Sequence, residues 1–183
     1  MLAAGINGSP NAQGSTGTLI QEVLKGYRSK GGDSIVFNLG DMDIHPCKAC
    51  MSCKKGTLCV IEDDMQEFYG KSADIDALVL GSPVYLDHVS AQLKIFMDRL
   101  YCFLSPNTYP GGTKAVVCIT YGAGGENSYD YILEWIRERL SYYFGIETVG
   151  MLKKAACSGR SSVEGDAGLM QRAFELGTQL YRE

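Results

Sequence analysis

Short apolar runs of strand length alternate with segments of helical period along the whole chain, and this alternation restricts the fold more than any other feature. Residues 2–6 form the first run, closed by the turn signal Asn7-Gly8-Ser9-Pro10. Leu19, Ile20, Val23, Leu24 and Tyr27 then recur at helical spacing, and residues 34–38 read as a second strand. Asp63 and Asp64 stand where a helix N-terminus favours negative charge, with Met65, Phe68 and Tyr69 following on one face. Residues 76–81 carry the run Ala77-Leu78-Val79-Leu80 of a buried third strand. Leu93, Phe96, Met97, Leu100 and Phe103 give the third helix an apolar stripe, and residues 114–121 make a fourth strand rich in β-branched side chains. Tyr129, Ile132, Leu133, Ile136, Leu140 and Tyr143 mark a fourth helix. A fifth strand near 146–155 and a last helix over about 162–181 complete the pattern. Such an order implies an α/β fold, a parallel sheet with helices on both faces.

The 183 residues suffice to bury about 70% of the unfolded surface in one core. No internal repeat, low-complexity tract or Pro/Gly/Ser linker divides them, so residues 1–183 read as one domain with a cysteine-rich insertion at about 41–62. A net charge of −4 argues against nucleic acid or an anionic membrane surface as partner. No apolar run reaches the length that spans a bilayer, and no basic leader opens the chain. The expected location is cytoplasmic, where thiols stay reduced.

That compartment gives weight to Cys47-x2-Cys50-x2-Cys53-x5-Cys59, four of the seven cysteines within thirteen residues. A disulfide joins only two sulfurs, whereas a metal centre can accept all four. Zinc sites commonly use two separated knuckles, which this run lacks. An overlapping C-x2-C-x2-C loop with a nearby fourth cysteine suits a cubane cluster, which takes one thiolate per iron. Iron–sulfur is thus the preferred reading, with zinc, empty thiols and a redox disulfide left open. Gly56 gives the loop room to turn, and Lys48, Lys54 and Lys55 would offset thiolate charge.

In a sheet of this type ligands sit beyond the carboxyl ends of the strands. The loop after strand one, residues 8–18, is rich in glycine and hydroxyls and leads into a helix N-terminus, an arrangement that suits a phosphate. It is neither a Walker A loop, having no Gly-Lys-Ser/Thr, nor a G-x-G-x-x-G fingerprint. Residues 1–21 carry no charged side chain, so a phosphate there would meet backbone N–H groups and the hydroxyls of Ser9, Ser15, Thr16 and Thr18. A solvated turn capped by Ser15 or Thr16 is the plainer alternative. Two more loops fall on the same edge, Ser82-Pro83-Val84-Tyr85 and Tyr121-Gly122-Ala123-Gly124-Gly125, and together they would suit a flat heteroaromatic ring.

Four features in order now carry a resemblance: Gly8-Ser9-Pro10 with Gly14-x-Thr16-x-x-Leu19, the cysteine run ending in Asp63-Asp64-Met65, Gly81-Ser82-Pro83-Val84-Tyr85, and Lys94-x-Phe96-x-Asp98-Arg99. Over roughly the first two-thirds of the chain they resemble the NADPH-dependent FMN reductases of the flavodoxin-like group, and within it the iron–sulfur flavoproteins. The resemblance implies a five-stranded sheet in the order 2-1-3-4-5. It implies FMN, its phosphate held around Ser9, Asn11, Ser15, Thr16, Gly17 and Thr18. The ring would lie against Pro83, Val84, Tyr85 and Leu86 and against Tyr121, Gly122, Ala123, Gly124 and Gly125. It further implies a [4Fe-4S] cluster on Cys47, Cys50, Cys53 and Cys59, NAD(P)H as possible donor, and a homodimer or homotetramer. The chain departs from the family at Asn11, where a basic residue is frequent, and at Ser15, where asparagine is frequent.

The function expected is that of an FMN-dependent oxidoreductase whose cluster relays electrons between the flavin and a carrier such as a ferredoxin. The alternatives are an NAD(P)H-dependent flavin or quinone reductase without a cluster, and a non-enzymatic flavodoxin-like electron carrier. No side chain is assigned a catalytic role. Cys102, Cys118 and Cys157 read as small apolar residues, His45 as solvent-facing rather than a spare ligand, His88 as helix-entry surface rather than a flavin border, Lys94, Asp98 and Arg99 as a solvated helix face rather than a subunit contact, and Trp135 as a loop cover or contact surface.

Overall fold

The computed structural model describes residues 1–112 and 114–182. In chain order the elements are β1 (Leu2–Asn7), α1 (Ser15–Arg28), β2 (Asp33–Asn38), α2 (Met65–Lys71), β3 (Ile75–Tyr85), β4 (His88–Val89) and α3 (Ala91–Arg99). Then follow β5 (Lys114–Thr120), α4 (Asp130–Phe144), β6 (Glu147–Lys154), α5 (Arg160–Glu164) and α6 (Ala167–Leu180). Single 3-10 turns lie at Ser52–Lys55 and Leu100–Phe103.

Five strands pair in parallel in the order β2-β1-β3-β5-β6, the expected 2-1-3-4-5 arrangement when parallel strands alone are counted. The sixth strand is the departure. β3 does not stop at Gly81; Ser82 and Pro83 continue the ladder opposite Ile119 and Thr120. The chain then doubles back, so that β4 pairs antiparallel through Val84–Val89 and Tyr85–His88. The turn between them, Leu86-Asp87, has both φ angles positive, +47° and +61°.

Pleating explains how one apolar strand serves two cores. Leu78 and Leu80 of β3, with Val117 and Ile119 of β5, face Phe68, Leu93, Phe96, Ile132 and Ile136 of α2, α3 and α4. Ala77 and Val79, with Val116 and Cys118, face Leu19, Ile20, Val23 and Leu24 of α1 and Leu176 of α6. Cys118 is wholly buried there, and burial pushes its thiol pKa up to about 12, which leaves it inert.

The C-terminal region is not one helix. Gly165 ends α5, and the Asp166 carboxylate caps α6 by accepting from Leu169 N at 3.1 Å while pairing with Lys154 at 2.7 Å. α6 lies directly on α1 because Gly26 and Gly177 face the opposing helix. A Cβ at either would strike a backbone carbonyl, of Phe174 or of Val23. Among the described residues no helix is long and apolar enough to cross a membrane.

The close approach of α1 and α6 predicts that Gly177→Val destabilises the fold by about 2 kcal/mol or more, since a branched side chain must push apart two packed backbones. Urea unfolding measures this, and an unchanged midpoint would contradict the packing described.

Candidate functional site

α1 begins without a side-chain cap. Gly14 occupies the capping position in extended conformation, and no acidic residue lies in the first turn. The first N–H groups of a helix have no partner within it, so those of Ser15, Thr16 and Gly17 present donors and the positive end of the helix dipole. The loop before them is braced from within. Asn7 Oδ1 accepts from Ser9 N at 3.1 Å, Ser9 Oγ from Asn11 N at 3.1 Å, and Asn11 Oδ1 from Gln13 N at 3.1 Å. The Asn7 side-chain amide also donates to Asn38 Oδ1 at 3.1 Å and to Ala12 O at 3.3 Å, tying the loop to β2.

Three of the hydroxyls proposed for a phosphate already have partners. Ser15 Oγ donates to Gly159 O at 2.8 Å, Thr18 Oγ1 donates to Gly14 O at 3.1 Å, and Thr16 Oγ1 shares a 2.7 Å bond with Thr120 Oγ1. The backbone amides and the Ser9 proton are therefore the donors left facing the loop.

The three sequence-distant loops come together at a cavity of about 210 Å³. Ser9, Asn11, Ser15 and Thr16 line it from the first loop, Pro83, Val84 and Tyr85 from β3, and Tyr121 and Gly122 from beyond β5. Gly14, Thr120 and Cys157, not expected from sequence, complete the lining. Every lining side chain is neutral. Gly17 and Thr18 instead face a neighbouring depression with Gln21, Asn38 and Arg160. Leu86 is fully exposed at the tip of the β3–β4 turn, and Ala123, Gly124 and Gly125 are exposed outside the cavity. An uncapped helix start, neutral walls and two aromatic rings fit an anionic group joined to a planar ring system, as in FMN.

The cysteine segment rests against the far end of α3. The helix starts at Ser90, whose Oγ donates to Gly8 O at 2.6 Å beside the first loop. Tyr101, against which the cysteines pack, lies roughly 16 Å further along at the usual rise per residue. All four cysteines line one narrow cavity whose walls include Ala49, Met51, Val60, Ile61 and Tyr101. Cys47 and Cys50 are exposed; Cys53 and Cys59 are half-buried. Positive φ at Ala49, Met51 and Gly56 curls the loop. Hydrogen bonds from Ser52 lower the Cys50 thiol pKa. Among the described residues, no three His, Cys, Asp or Glu side chains converge closely enough to hold a single metal ion. A zinc ion draws its sulfurs to about 2.3 Å from one point. A cubane instead places each thiolate on a different iron.

What fixes this segment is the pair of Asp63, expected at a helix N-terminus, with Arg99, expected on a solvated helix face. Arg99 is buried, and its guanidinium donates to both carboxylate oxygens of Asp63, at 2.5 and 3.1 Å, and to His45 O at 2.8 Å. Asp63 also accepts from His45 N at 2.9 Å and Met65 N at 3.1 Å. Burial would raise the Asp63 pKa, but Arg99 and these two amides outweigh it and hold the carboxyl below its ordinary value. Burial opposes the charge on Arg99 too; Asp63 more than compensates, so its pKa is raised.

Two further anchors act from residues 100–107. Lys54 Nζ donates to Tyr101 O and Leu104 O at 3.1 and 2.9 Å and lies 3.9 Å over the Tyr101 ring. The Asn107 amide reaches Cys53 O, Thr57 O and Cys102 O at 3.2, 2.7 and 2.9 Å. Lys94 and Asp98 pair with each other on the exposed helix face, as expected. His45 is half-exposed, and His88 packs edge-on against Trp135 at 4.9 Å.

Residues 1–146 match the sequence model of the family described as NADPH-dependent FMN reductase. The chain belongs to this family. Among curated relatives, an iron–sulfur flavoprotein of Methanocaldococcus jannaschii is 41% identical over 99 residues, 54% of this chain and 51% of that protein. One from Archaeoglobus fulgidus is 32% identical over 98% of this chain and 79% of its own length. Several of the curated relatives are thus matched over only about half their length. Among solved structures, the NAD(P)H:quinone oxidoreductase of Methanothermobacter marburgensis superposes with a TM-score of 0.75 at 18% identity, covering 99% of each chain. That likeness establishes the flavodoxin-like fold, which the family membership accompanies.

Because removing one partner of a buried pair strands the other, Arg99→Leu should cost about 3 kcal/mol or more in unfolding free energy. Asp63, with its lowered pKa, contributes stability that is complete above the ordinary carboxylate value of about 4 and is lost as pH falls through its lower folded value. The stability gap between wild type and Asp63→Asn, measured by denaturant titration, should therefore be widest near neutral pH and close towards pH 2. A pH-independent gap would exclude the carboxylate as its source.

Proposed function

We propose that this protein is an FMN-dependent oxidoreductase, with the cofactor phosphate at the open start of α1 and the ring between β3 and the loop after β5. The observation that carries this reading is the convergence of those three loops on one uncharged cavity next to an uncapped helix terminus. Bound FMN would supply both hydride and single-electron chemistry. The chain's own residues would supply position. The Ser15, Thr16 and Gly17 amides orient the phosphate, Ser9 adds a hydroxyl, and Pro83, Val84, Tyr85, Tyr121 and Gly122 bound the ring. Gly17, Thr18, Leu86, Ala123, Gly124 and Gly125 belong to the same proposed site as its flanks.

We further infer a [4Fe-4S] cluster on Cys47, Cys50, Cys53 and Cys59, supplying one-electron transfer to or from the flavin. Its support is the cavity the four thiols share and the kinship with proteins named iron–sulfur flavoproteins. NAD(P)H or a reduced protein carrier such as a ferredoxin would be the electron source. We place the protein in the cytoplasm as one domain. A groove of about 260 Å³, mainly apolar through Met97, Tyr101, Leu104, Trp135, Tyr143 and Phe144 and flanked by Lys94, Asp98 and Arg139, supports assembly as a homodimer or homotetramer. The second reading, an NAD(P)H-dependent flavin or quinone reductase without a cluster, draws on the lack of a converged metal-ligand set among the described residues.

Anaerobic purification with FMN and iron analysis separates the two: four irons per FMN supports the first, flavin without iron the second, and absence of both overturns the proposal. Ser15→Asp tests the phosphate seat. A carboxylate in the first turn favours the helix dipole, but it cannot replace the Ser15 donation to Gly159 O and would face that carbonyl, so thermal stability of the cofactor-free protein should fall modestly. The same charge should repel the phosphate and weaken FMN binding at least about tenfold in a fluorescence titration. Undiminished affinity would move the phosphate elsewhere.

A further inference from the structure

The turn Leu86-Asp87 joins β3 to β4 with two non-glycine residues in the left-handed region, at φ +47° and +61°. Two-residue hairpin turns of this kind usually rely on asparagine, aspartate or glycine, and leucine is poorly suited to that conformation. Leu86 gains no burial in exchange, being fully exposed. Strained backbone of this type persists only where surrounding contacts enforce it.

Those contacts come from the opposite wall of the cavity. Tyr129 Oη donates to Asp87 Oδ1 at 2.8 Å, and Tyr131 Oη donates to the Asp87 carbonyl. The Tyr129 ring in turn packs edge-on against Tyr121 at 4.8 Å. Val84 and Tyr85 on the hairpin side and Tyr121 on the other all line the cavity. Asp87 therefore ties together the two walls between which the flavin ring is proposed to sit. Residues 122–128 are exposed throughout. Tyr121 Oη donates to Gly125 O and Glu126 O, and Lys153 Nζ donates to Asn127 Oδ1 within the segment and to Asp130 just after it. The hairpin holds the residues that follow, Tyr129 and Tyr131, so it fixes the end at which the segment enters α4.

We propose that Asp87 and Tyr129, with Tyr131, form a latch across the mouth of the FMN cavity and act as positioning residues that govern how fast the cofactor leaves. The inference rests on the FMN reading above. All three side chains lie at or near the surface, so opening the latch exposes little apolar area and should leave the global stability of the cofactor-free protein unchanged.

The test uses the full chain reconstituted with FMN, following release by recovery of flavin fluorescence on large dilution into flavin-free buffer. The double substitution Tyr129→Phe, Tyr131→Phe keeps both rings and removes both hydroxyls. It should speed FMN release about tenfold while the unfolding midpoint of the cofactor-free protein stays put. Asp87→Ala removes the Tyr129 bond and leaves the backbone carbonyl to Tyr131, so it should speed release by less than the double variant, about threefold. Asp87→Asn, whose amide oxygen still accepts from Tyr129, should stay near the wild-type rate. A release rate within twofold of wild type in the double variant would overturn the latch, as would an Asp87→Asn variant as fast as Asp87→Ala. A lowered cofactor-free midpoint would recast the contact as general support of the fold and equally overturn it. A wild-type protein that binds no FMN would strike the functional reading itself, whereas normal wild-type binding with unaltered variants would strike the latch alone.

Discussion

A parallel strand cannot be followed by a tight hairpin to its parallel neighbour; each connection must cross a face of the sheet and return. Every segment that leaves β1, β3, β5 or β6 therefore emerges on the same edge. The order β2-β1-β3-β5-β6 also reverses direction between β1 and β3, which opens a crevice beside β1. Residues separated by more than 140 positions, Ser9 and Cys157 among them, meet there for this reason alone. The cavity is a consequence of chain topology, and the side chains around it refine a space that the fold has already made.

The cysteine segment has no such topological support. It leaves β2 and wanders without regular structure, apart from one 3-10 turn, until α2 begins. Its order comes instead from polar groups fixed on α3 and on the residues after it. Arg99 and Asn107 bond to backbone carbonyls of the segment, at His45, Cys53 and Thr57, and Lys54 of the segment itself reaches back to Tyr101 O and Leu104 O, so the path of the main chain is held whatever the thiols do. The Asp63–Arg99 pair is the costliest element in this arrangement, because both charges are withdrawn from water. Its geometry, with two bonds between the charges and three more to backbone groups, is what makes burial of those charges tolerable.

How much of this could be read from the chain depends on the range of the interaction concerned. Runs such as Ala77-Leu78-Val79-Leu80 and the stripe from Leu93 to Phe103 announce strands and helices because pleat and helix period are local properties, and the structure follows them. The β3–β4 hairpin is not legible in sequence because Leu86 is unsuited to the left-handed turn position and no glycine or asparagine stands beside it; contacts from Tyr129 and Tyr131, more than forty positions away, support it. The single helix expected over about 162–181 divides at Gly165-Asp166, which serve as stop and cap. Arg99 looked like surface since charged residues near a helix end commonly are. Only the position of Asp63, thirty-six residues earlier, makes it a core residue. Thr120 and Cys157 belong to the cavity by strand order, which no local pattern encodes.

The neutrality of the cavity has a physical consequence for how it can select a ligand. The chain carries a net charge of −4, so at long range an anion gains nothing from approaching it. Attraction must come from oriented N–H groups at the start of α1, whose influence fades within the first turn. In the proposed site recognition would then depend on contact: the phosphate would have to reach the amides while the ring reached the slot bounded by Tyr85 and Tyr121. A ligand offering only the charge, or only the ring, satisfies half the site. Without a lysine or arginine to supply unspecific attraction, the geometry between the two halves becomes the criterion of selection. That geometry is set by the relative heights of the loops after β1, β3 and β5, which the strand registers of Asn7 with Gly81 and of Pro83 with Thr120 hold fixed.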